Sequence, residues 1–285
     1  MASQLIPAFC KGPELQKQIY HAKENSKPDS FDLWWLGQSG FLIQWNGRCL
    51  LLDPYLSDSL TKKYEDTTKP HVRMSELVIE PGLLDCIDIV TSSHNHTDHL
   101  DAESLIPVMK NNPAIKFIVP EANRDFVSER VKCKKECLVG LNDAGSVTID
   151  EFTFHGIPAK HNEIERDEKG NCKYMGYVIE FGGNKIYHSG DTLRFDEMKN
   201  ILAPFLVDIA ILPVNGNDAP RKVAGNLDGR EAAELGKAIG AKCVIPCHYD
   251  MFMFNTADVN DFVKEADKID QPYKVLKGGE HFSIN

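Results

Sequence analysis

The sequence predicts an α/β fold in which two sheets face each other and helices cover their outer sides, a four-layer α/β/β/α sandwich. Two observations lead to this expectation. Meanders of short apolar strands and strands alternating with helices each occur twice along the chain, and no low-complexity linker separates the two halves. We therefore expect residues 1–285 to form a single domain, in which residues 1–30 are a polar lead-in segment.

Three short apolar segments open the folded part, FDLWWLG, FLIQW and RCLLLDPYL. The Asn-Gly pair between the second and third is a strong signal for a two-residue hairpin turn, so these segments predict a β-meander. Residues 57–85 follow and are polar and irregular. A segment of that length is typical of a lid or a binding loop rather than a simple connection.

From residue 86 onward strands alternate with helices. Strands are predicted over CIDIVTSS and KFIVP, and each is followed by a helical pattern, AESLIPVMK and EANRDFVSER. A second strand-rich block covers residues 146–191, and a second alternating block then places helices over residues 228–240 and 257–268. This order of elements is that of two similar sheet-and-helix halves.

Composition narrows the class of protein. Hydrophobic residues make up 42% of the chain and charged residues 26%, which is typical of a soluble globular protein. The net charge of -10 repels a phosphate backbone, so we expect no nucleic-acid partner. No apolar run approaches the roughly 20 residues of a membrane-spanning helix, and no export signal is visible. Eight scattered cysteines indicate reduced thiols, so we expect a cytoplasmic protein without a membrane partner.

One stretch, HNHTDH after the strand CIDIV, holds four potential metal ligands within six residues. His94 and His96 lie two residues apart, so in an extended chain their side chains converge on one ion. Asp98 and His99 on the following turn point to a neighbouring position. The pattern predicts two metal ions. A polar loop that merely happens to contain three histidines is the alternative, and the strand-to-helix context disfavours it.

The HNHTDH stretch resembles the H-x-H-x-D-H signature of the metallo-β-lactamase superfamily. The resemblance extends over most of the chain, because later ligand positions of that superfamily match His161, Asp191 and His248 in order. It implies the metallo-β-lactamase fold. It also implies a division of the seven ligands in which His94, His96 and His161 hold one ion, Asp98, His99 and His248 hold the other, and Asp191 bridges the two.

The later ligands also make sense from their positions alone, because each follows a strand-like run, where α/β sheets place their binding loops. A lone histidine is more often structural, so the argument depends on the ordered set. Asp53 at the end of RCLLLD matches an early aspartate of the superfamily that supports the site through hydrogen bonds.

Within the superfamily, WWLGQSGF, YHSGDT and IPCHYDMF resemble the L-ascorbate-6-phosphate lactonase group and related metal-dependent hydrolases. His161 departs from the lactonase proper, which has an aspartate there. His188 belongs to the same motif, and both a role at the substrate and a purely structural hydrogen bond remain open. Arg73 and Arg221 resemble basic positions of this group and could grip an anion through charge-assisted hydrogen bonds, with a solvated surface charge as the alternative.

The expected chemistry is hydrolysis by a water that two divalent ions activate, with zinc the first expectation and manganese the second. Asp98 or Asp191 would take the proton of that water, and His248 would polarise the substrate. The expected substrate is a small anionic lactone or (phospho)ester.

Three alternative functions fit the sequence less well. A nuclease of the tRNA-processing type normally carries a basic arm that this chain lacks, a diiron oxygen-reducing protein requires a glutamate at position 96, and a non-enzymatic scaffold would have lost ligands. A homo-oligomer remains open.

Overall fold

The computed structural model describes residues 4–217 and 225–284. In these residues the helices are α1 Gly12–Glu24, α2 Ser59–Tyr64, α3 Ala102–Asn111, α4 Arg124–Arg130, α5 Met198–Leu202, α6 Gly229–Ile239 and α7 Val259–Lys268. The strands are β1 Phe31–Gly37, β2 Gly40–Trp45, β3 Arg48–Leu52, β4 Ile89–Thr91, β5 Lys116–Pro120, β6 Leu138–Leu141, β7 Ser146–Ile149, β8 Phe152–Pro158, β9 Met175–Phe181, β10 Asn184–His188, β11 Ile209–Pro213, β12 Cys243–Cys247 and β13 His281–Ile284.

The strands form two mixed sheets. The first has the order β13-β1-β2-β3-β4-β5-β6, and the second has the order β12-β11-β10-β9-β8-β7. In the first sheet β3 to β6 are parallel and the other pairs antiparallel. In the second sheet β10 to β12 are parallel and β7 to β10 antiparallel. Each sheet thus joins a meander to a β/α block, as the sequence predicted.

Two neighbouring tryptophans of β1 belong to two different apolar clusters. Trp35 packs between the two sheets, whereas Trp34 packs with Leu15 and Leu105 of the helices outside the first sheet. This alternation follows from the two-residue period of a strand, which sends successive side chains to opposite faces. On the far side of the second sheet, Phe262 of α7 belongs to the same apolar cluster as the sheet. The four-layer α/β/β/α prediction is confirmed.

Two segments are more regular than the sequence suggested. The expected lead-in over residues 1–30 contains α1, whose Leu15 and Ile19 are fully buried under the first sheet. The helix was missed because only this i, i+4 pair marks its apolar face among polar residues. Residues 57–85 contain α2 and a short 3-10 helix at Pro81–Leu83. Among the described residues no helix is long and apolar enough to cross a membrane.

Helix α6 begins with a capping box, so we expect Asp228→Ala to lower the free energy of unfolding by about 1 kcal/mol. The Asp228 carboxylate accepts a hydrogen bond from the backbone of Glu231 at 2.8 Å, and the Glu231 side chain accepts one from the backbone of Asp228 at 3.0 Å. Urea denaturation measures the change. Asp228→Asn keeps a cap acceptor and should stay close to the wild type; equal loss in both variants would contradict the capping role.

Asp32 attaches the last strand to the sheet, and its contribution should depend on pH. Its Oδ1 accepts hydrogen bonds from His281 Nε2 at 2.7 Å and Ser283 Oγ at 2.8 Å. Burial raises the pKa of the Asp32 carboxyl, but these hydrogen bonds outweigh it and leave the pKa below its ordinary value.

A lowered native pKa stabilises the fold above the unfolded pKa of about 4, and this contribution is lost as the pH falls through the native pKa. We therefore expect Asp32→Asn to cost about 1 kcal/mol at pH 7 and progressively less below about pH 4. Urea denaturation across that range measures the difference, with the exposed Asp29→Asn as the matched control. A gap between Asp32→Asn and wild type that does not change with pH would contradict the assignment.

Candidate metal centre

All seven predicted metal ligands lie where strands of the two sheets end. The first four, His94, His96, Asp98 and His99, follow β4 in the first sheet, whereas His161, Asp191 and His248 follow β8, β10 and β12 in the second sheet. Asp53 directly follows β3. The carboxyl ends of neighbouring parallel strands meet at one edge of a sheet, which is why residues far apart in the chain converge here.

The seven side chains form three overlapping groups of potential ligand atoms, each within 4.8 Å of one another. These groups are His94–His99–Asp191, His96–His161–Asp191 and Asp98–His99–His248. Asp191 belongs to two of the groups, which is the position expected of a bridging carboxylate. His99 also belongs to two, so the division of the seven residues between two ions stays a prediction.

Asp53 holds His99 in one orientation. The fully buried Asp53 carboxylate lies 2.8 Å from Nδ1 of His99 and accepts hydrogen bonds from the Thr91 hydroxyl at 3.0 Å and the Ser93 backbone at 3.1 Å. Burial raises the pKa of the Asp53 carboxyl, but the hydrogen bonds from His99 and Ser93, together with the nearby charges of His99 and His188, outweigh it and leave the pKa below its ordinary value. The ionised carboxylate accepts a hydrogen bond from Nδ1–H of His99, so Nε2 of the ring faces the cluster, where, despite burial, Asp191 and Asp98 raise the pKa of the imidazole well above its ordinary value.

The ligand atoms fit a divalent cation. Once a cation replaces the proton on Nε2 of His99, this nitrogen and Oδ1 of Asp191 are two acceptors that face each other at 3.1 Å. Both atoms are buried without a hydrogen bond among the described residues, and so is Nε2 of His94. Buried acceptors without donors are costly, and a cation between them removes that cost. Imidazole with carboxylate is a donor set that zinc and manganese accept.

The pKa values of the histidines decide where a proton competes with a metal ion. Burial lowers the pKa of His94, and the neighbouring His99 and His96 lower it further. Burial also lowers the pKa of His248, but Asp191 and Asp98 outweigh it and raise the pKa to about 9. A cation bound at Nε2 of His248 must displace that proton, so metal binding and protonation compete in this centre.

His161 is positioned by a glycine and a tyrosine. Its Nδ1 lies 3.2 Å from the carbonyl oxygen of Gly225, which leaves Nε2 for a cation, and its ring stacks on Tyr174 with centroids 5.2 Å apart. Gly225 has φ +89°, and a Cβ there would lie 1.8 Å from Nδ1 of His161. Only glycine fits this approach. Nothing in the sequence motifs pointed to Tyr174 or Gly225.

Gln38 is a further residue of the centre to which sequence analysis assigned no role. Its fully buried side chain donates from Nε2 to Oδ2 of Asp98 at 2.8 Å, and the same nitrogen lies 3.0 Å from Nε2 of His248. The Gln38 carbonyl accepts a hydrogen bond from the His248 backbone at 3.0 Å. Gln38 therefore orients one ligand by its side chain and another by its main chain. The signal was the GQSG turn, which was noted only as a motif of resemblance.

Three non-glycine residues of the centre have left-handed backbones. The φ angles are +51° at Gln38, +38° at Asp53 and +64° at His248. Such conformations cost about 1–3 kcal/mol each for residues with a Cβ, and they persist only where the surroundings over-determine them. All three turn the chain sharply at a strand end, which brings the side chain back over the edge of the sheet.

The cavity above the cluster has a volume of about 500 Å³. Its floor consists of five of the seven potential ligands, His96, Asp98, His161, Asp191 and His248. Residues from the 57–85 segment line one side, among them Lys63, Tyr64, Lys69 and His71, and Arg130 lies on another side. Residues 57–85 therefore form part of the cavity wall, as expected of a binding loop.

The residues predicted to bind substrate have other positions. Arg73 donates to Asp58 Oδ1 at 2.6 Å, to the Ser57 carbonyl and to the sulfur of Met251, and it does not line the cavity. Its guanidinium is used to hold the segment, so the substrate role predicted for Arg73 is not supported.

Of the other two predicted substrate residues, the structure describes only His188. His188 is 1% exposed, with Nε2 3.0 Å from the Ser39 carbonyl, which supports the structural alternative. Arg221 lies outside the described residues.

The sequence is similar to those of known metal-dependent hydrolases, which agrees with a metal-binding site. A family model described as a beta-lactamase superfamily domain matches residues 32–248. The UPF0173 metal-dependent hydrolase of Alkaliphilus metalliredigens is 30% identical over 238 residues, which cover 81% of this chain and 91% of that protein. The corresponding protein of Hyperthermus butylicus is 28% identical over 255 residues, with 88% and 98% covered.

Two solved structures show the same fold. Igni18, a metallo hydrolase from Ignicoccus hospitalis, has a TM-score of 0.66 at 22% identity, covering 90% of this chain and 99% of its own. A possible metal-dependent hydrolase from Veillonella parvula has a TM-score of 0.70 at 17% identity, with 90% and 98% covered.

Two facing sheets with a His/Asp metal-binding cluster at their strand ends define a metal-dependent hydrolase of the metallo-β-lactamase superfamily. Its relatives narrow this further. The chain belongs to the UPF0173 metal-dependent hydrolase family. The names of these relatives specify no substrate, so the finer resemblance to the lactonase group stays a prediction.

Because Asp53 fixes the tautomer of His99, we expect Asp53→Asn to weaken metal binding by about 10- to 100-fold. An asparagine at this position has a neutral amide in place of the carboxylate that accepts the Nδ1 proton. Competition with a chromophoric chelator measures the affinity. Asp32→Asn makes the same chemical change at the last strand and should leave affinity unchanged; equal affinities in the wild type and Asp53→Asn would refute the assignment.

Proposed function

We propose that the protein hydrolyses a small anionic lactone or (phospho)ester with a water activated by two divalent ions, zinc or, second, manganese. The observation that carries this proposal is the meeting of seven potential ligands, five of which form the floor of an open cavity. Family membership supports metal-dependent hydrolysis. The choice of a lactone or ester comes from the sequence motifs quoted above.

In the proposed centre one ion would be held by His94, His96 and His161. The ring centroids of His94 and His96 are 4.6 Å apart, and those of His96 and His161 are 4.8 Å apart, which supports a shared ion. Asp98, His99 and His248 would hold the second ion, and Asp191 would serve both. When bound, such a pair lowers the pKa of water and polarises a carbonyl or phosphoryl oxygen.

The protein's own groups then orient the reactants. Asp98 lines the cavity with its Oδ2 held by Gln38 Nε2 at 2.8 Å, so this carboxylate is oriented before substrate arrives. We assign Asp98 to accept the proton of the attacking water, with Asp191 holding that water in place. His248, which also lines the cavity, is assigned to polarise the carbonyl or phosphoryl oxygen of the substrate.

Charge on the cavity wall favours an anionic substrate. The described lining includes three cationic side chains, Lys63, Lys69 and Arg130, and two carboxylates, both of them in the ligand cluster. Metal ions would compensate those carboxylates, which leaves a positively charged cavity in a protein whose net charge is -10. Arg130 donates to the Thr97 hydroxyl at 3.0 Å, so its charge is fixed beside the HNHTDH loop.

The proposal is tested with metal-loaded protein and panels of lactones, carboxylic esters, phosphodiesters and thioesters. We expect turnover of an anionic lactone or ester that a chelator removes and added zinc or manganese restores. Turnover confined to phosphodiesters would favour the nuclease-type alternative. Turnover that survives complete removal of metal would overturn the proposal.

Asp191→Ala should reduce hydrolysis by more than about 100-fold, exceeding the effect of losing a supporting residue. The reason is that Asp191 is shared by two ligand groups. Rates and metal content are measured together, because the substitution also lowers metal affinity, and circular dichroism reports the fold. Asp196→Ala removes an exposed carboxylate from the same loop and should retain full activity. Full turnover by a fully metal-loaded Asp191→Ala protein would contradict the role.

A further inference from the structure

An aromatic wall forms one side of the cavity, and the sequence motifs did not predict it. The wall consists of Tyr64, His71, Phe252 and Phe254. The ring of His71 stacks on Tyr64 with centroids 4.2 Å apart and meets the rings of Phe254 and Phe252 edge-on at 4.5 Å and 5.1 Å. Two separate parts of the chain thus combine four rings into one surface.

The aromatic wall is held in place before any ligand arrives. The Thr61 hydroxyl donates to the His71 carbonyl at 2.7 Å, and the backbone of Met253 donates to the Val72 carbonyl at 3.0 Å. Behind it, Phe252 is buried against Tyr55 with centroids 5.7 Å apart. A rigid surface of this kind can bind a ligand without first losing conformational freedom.

The wall is also uncharged. Burial lowers the pKa of His71, so its ring is neutral near pH 7 and adds to the apolar surface. Tyr64, His71 and Phe254 are only half-buried, so part of each ring remains open to the cavity. The described hydrogen bonds and ring contacts of the seven potential metal ligands involve none of these four rings. The aromatic wall is therefore not required to hold the ligands in place.

We infer that the substrate carries a flat apolar group, an aryl or unsaturated acyl group, that packs on the aromatic wall while its negative group faces Lys63 and Arg130. The aromatic wall, the two cations and the proposed metal site all line one cavity, so a single substrate can contact all three. Flat groups gain both apolar contact and ring-to-ring packing on such a surface. This inference rests on the proposed function, since it takes the cavity to be the substrate site.

Binding of simple probes tests the inference without turnover. Metal-loaded protein is titrated calorimetrically with acetate, 3-phenylpropanoate and the neutral 3-phenylpropanamide. We expect 3-phenylpropanoate to bind at least about tenfold more tightly than acetate, because the phenyl group is removed from water at the wall. We also expect it to bind more tightly than the amide, because the amide lacks the charge.

Variants separate the two features. Phe254→Ala should weaken 3-phenylpropanoate by about threefold to tenfold, the effect of one aromatic contact, and leave acetate unchanged. Lys63→Gln should weaken both anions and leave the amide unchanged. The matched controls are Phe9→Ala, an exposed phenylalanine outside the cavity lining, and Lys62→Gln, the neighbouring lysine that pairs with Glu103 at 2.8 Å. Neither control should change any of the three affinities.

Equal affinities of the wild type for acetate and 3-phenylpropanoate would overturn the inference, and so would equal weakening of both by Phe254→Ala. If Phe254→Ala does not fold, Tyr64→Leu is judged by the same criterion. The outcomes also separate this inference from the proposed function. Binding of the aryl anion at the wall without hydrolysis of any panel member refutes the proposed function alone, whereas hydrolysis without preference for the ring refutes the inference alone.

Discussion

The structure depends on one constraint: the buried carboxylates where the two sheets meet must be paired with cationic groups or hydrogen-bond donors. Asp53 and Asp191 have almost no access to water, and an ionised carboxylate in such a place is costly unless it is paired. The paired groups come from both sheets: His99 follows β4 of the first, and His248 follows β12 of the second. Asp191 of the second sheet lies 3.1 Å from His99 of the first, so the closed sandwich brings the two parts of the metal centre together.

A second layer of contacts gives the ligands their directions. Asp53 acts on His99, Gly225 on His161 and Gln38 on Asp98, in each case through a polar contact of 2.8–3.2 Å. These contacts decide which imidazole nitrogen carries a proton and where a carboxylate points. The left-handed backbones at Gln38, Asp53 and His248 are the local cost of this arrangement.

The fold and the His/Asp cluster could be predicted from the sequence because both leave local or ordered signals. The HNHTDH motif lies within one turn of chain, and the later ligands follow strand ends in a fixed order. Gln38 was not assigned a role because its contacts with His248 join residues 210 positions apart. Arg73 shows the opposite difficulty. A guanidinium in a loop looks available in the sequence, and only the folded structure shows it bound to Asp58 and Ser57.

The groups that hold metal and the groups that shape the cavity belong to different parts of the chain. The ligands lie on strand ends, whose positions the apolar core sets, whereas Tyr64 and His71 lie on the insertion between β3 and β4. Arg73 anchors that insertion from within, through Asp58. Substitutions in the insertion can therefore alter the shape of the cavity without changing any of the metal ligands. Selection can diversify the preference of such a catalyst among descendants while the reaction itself is inherited unchanged.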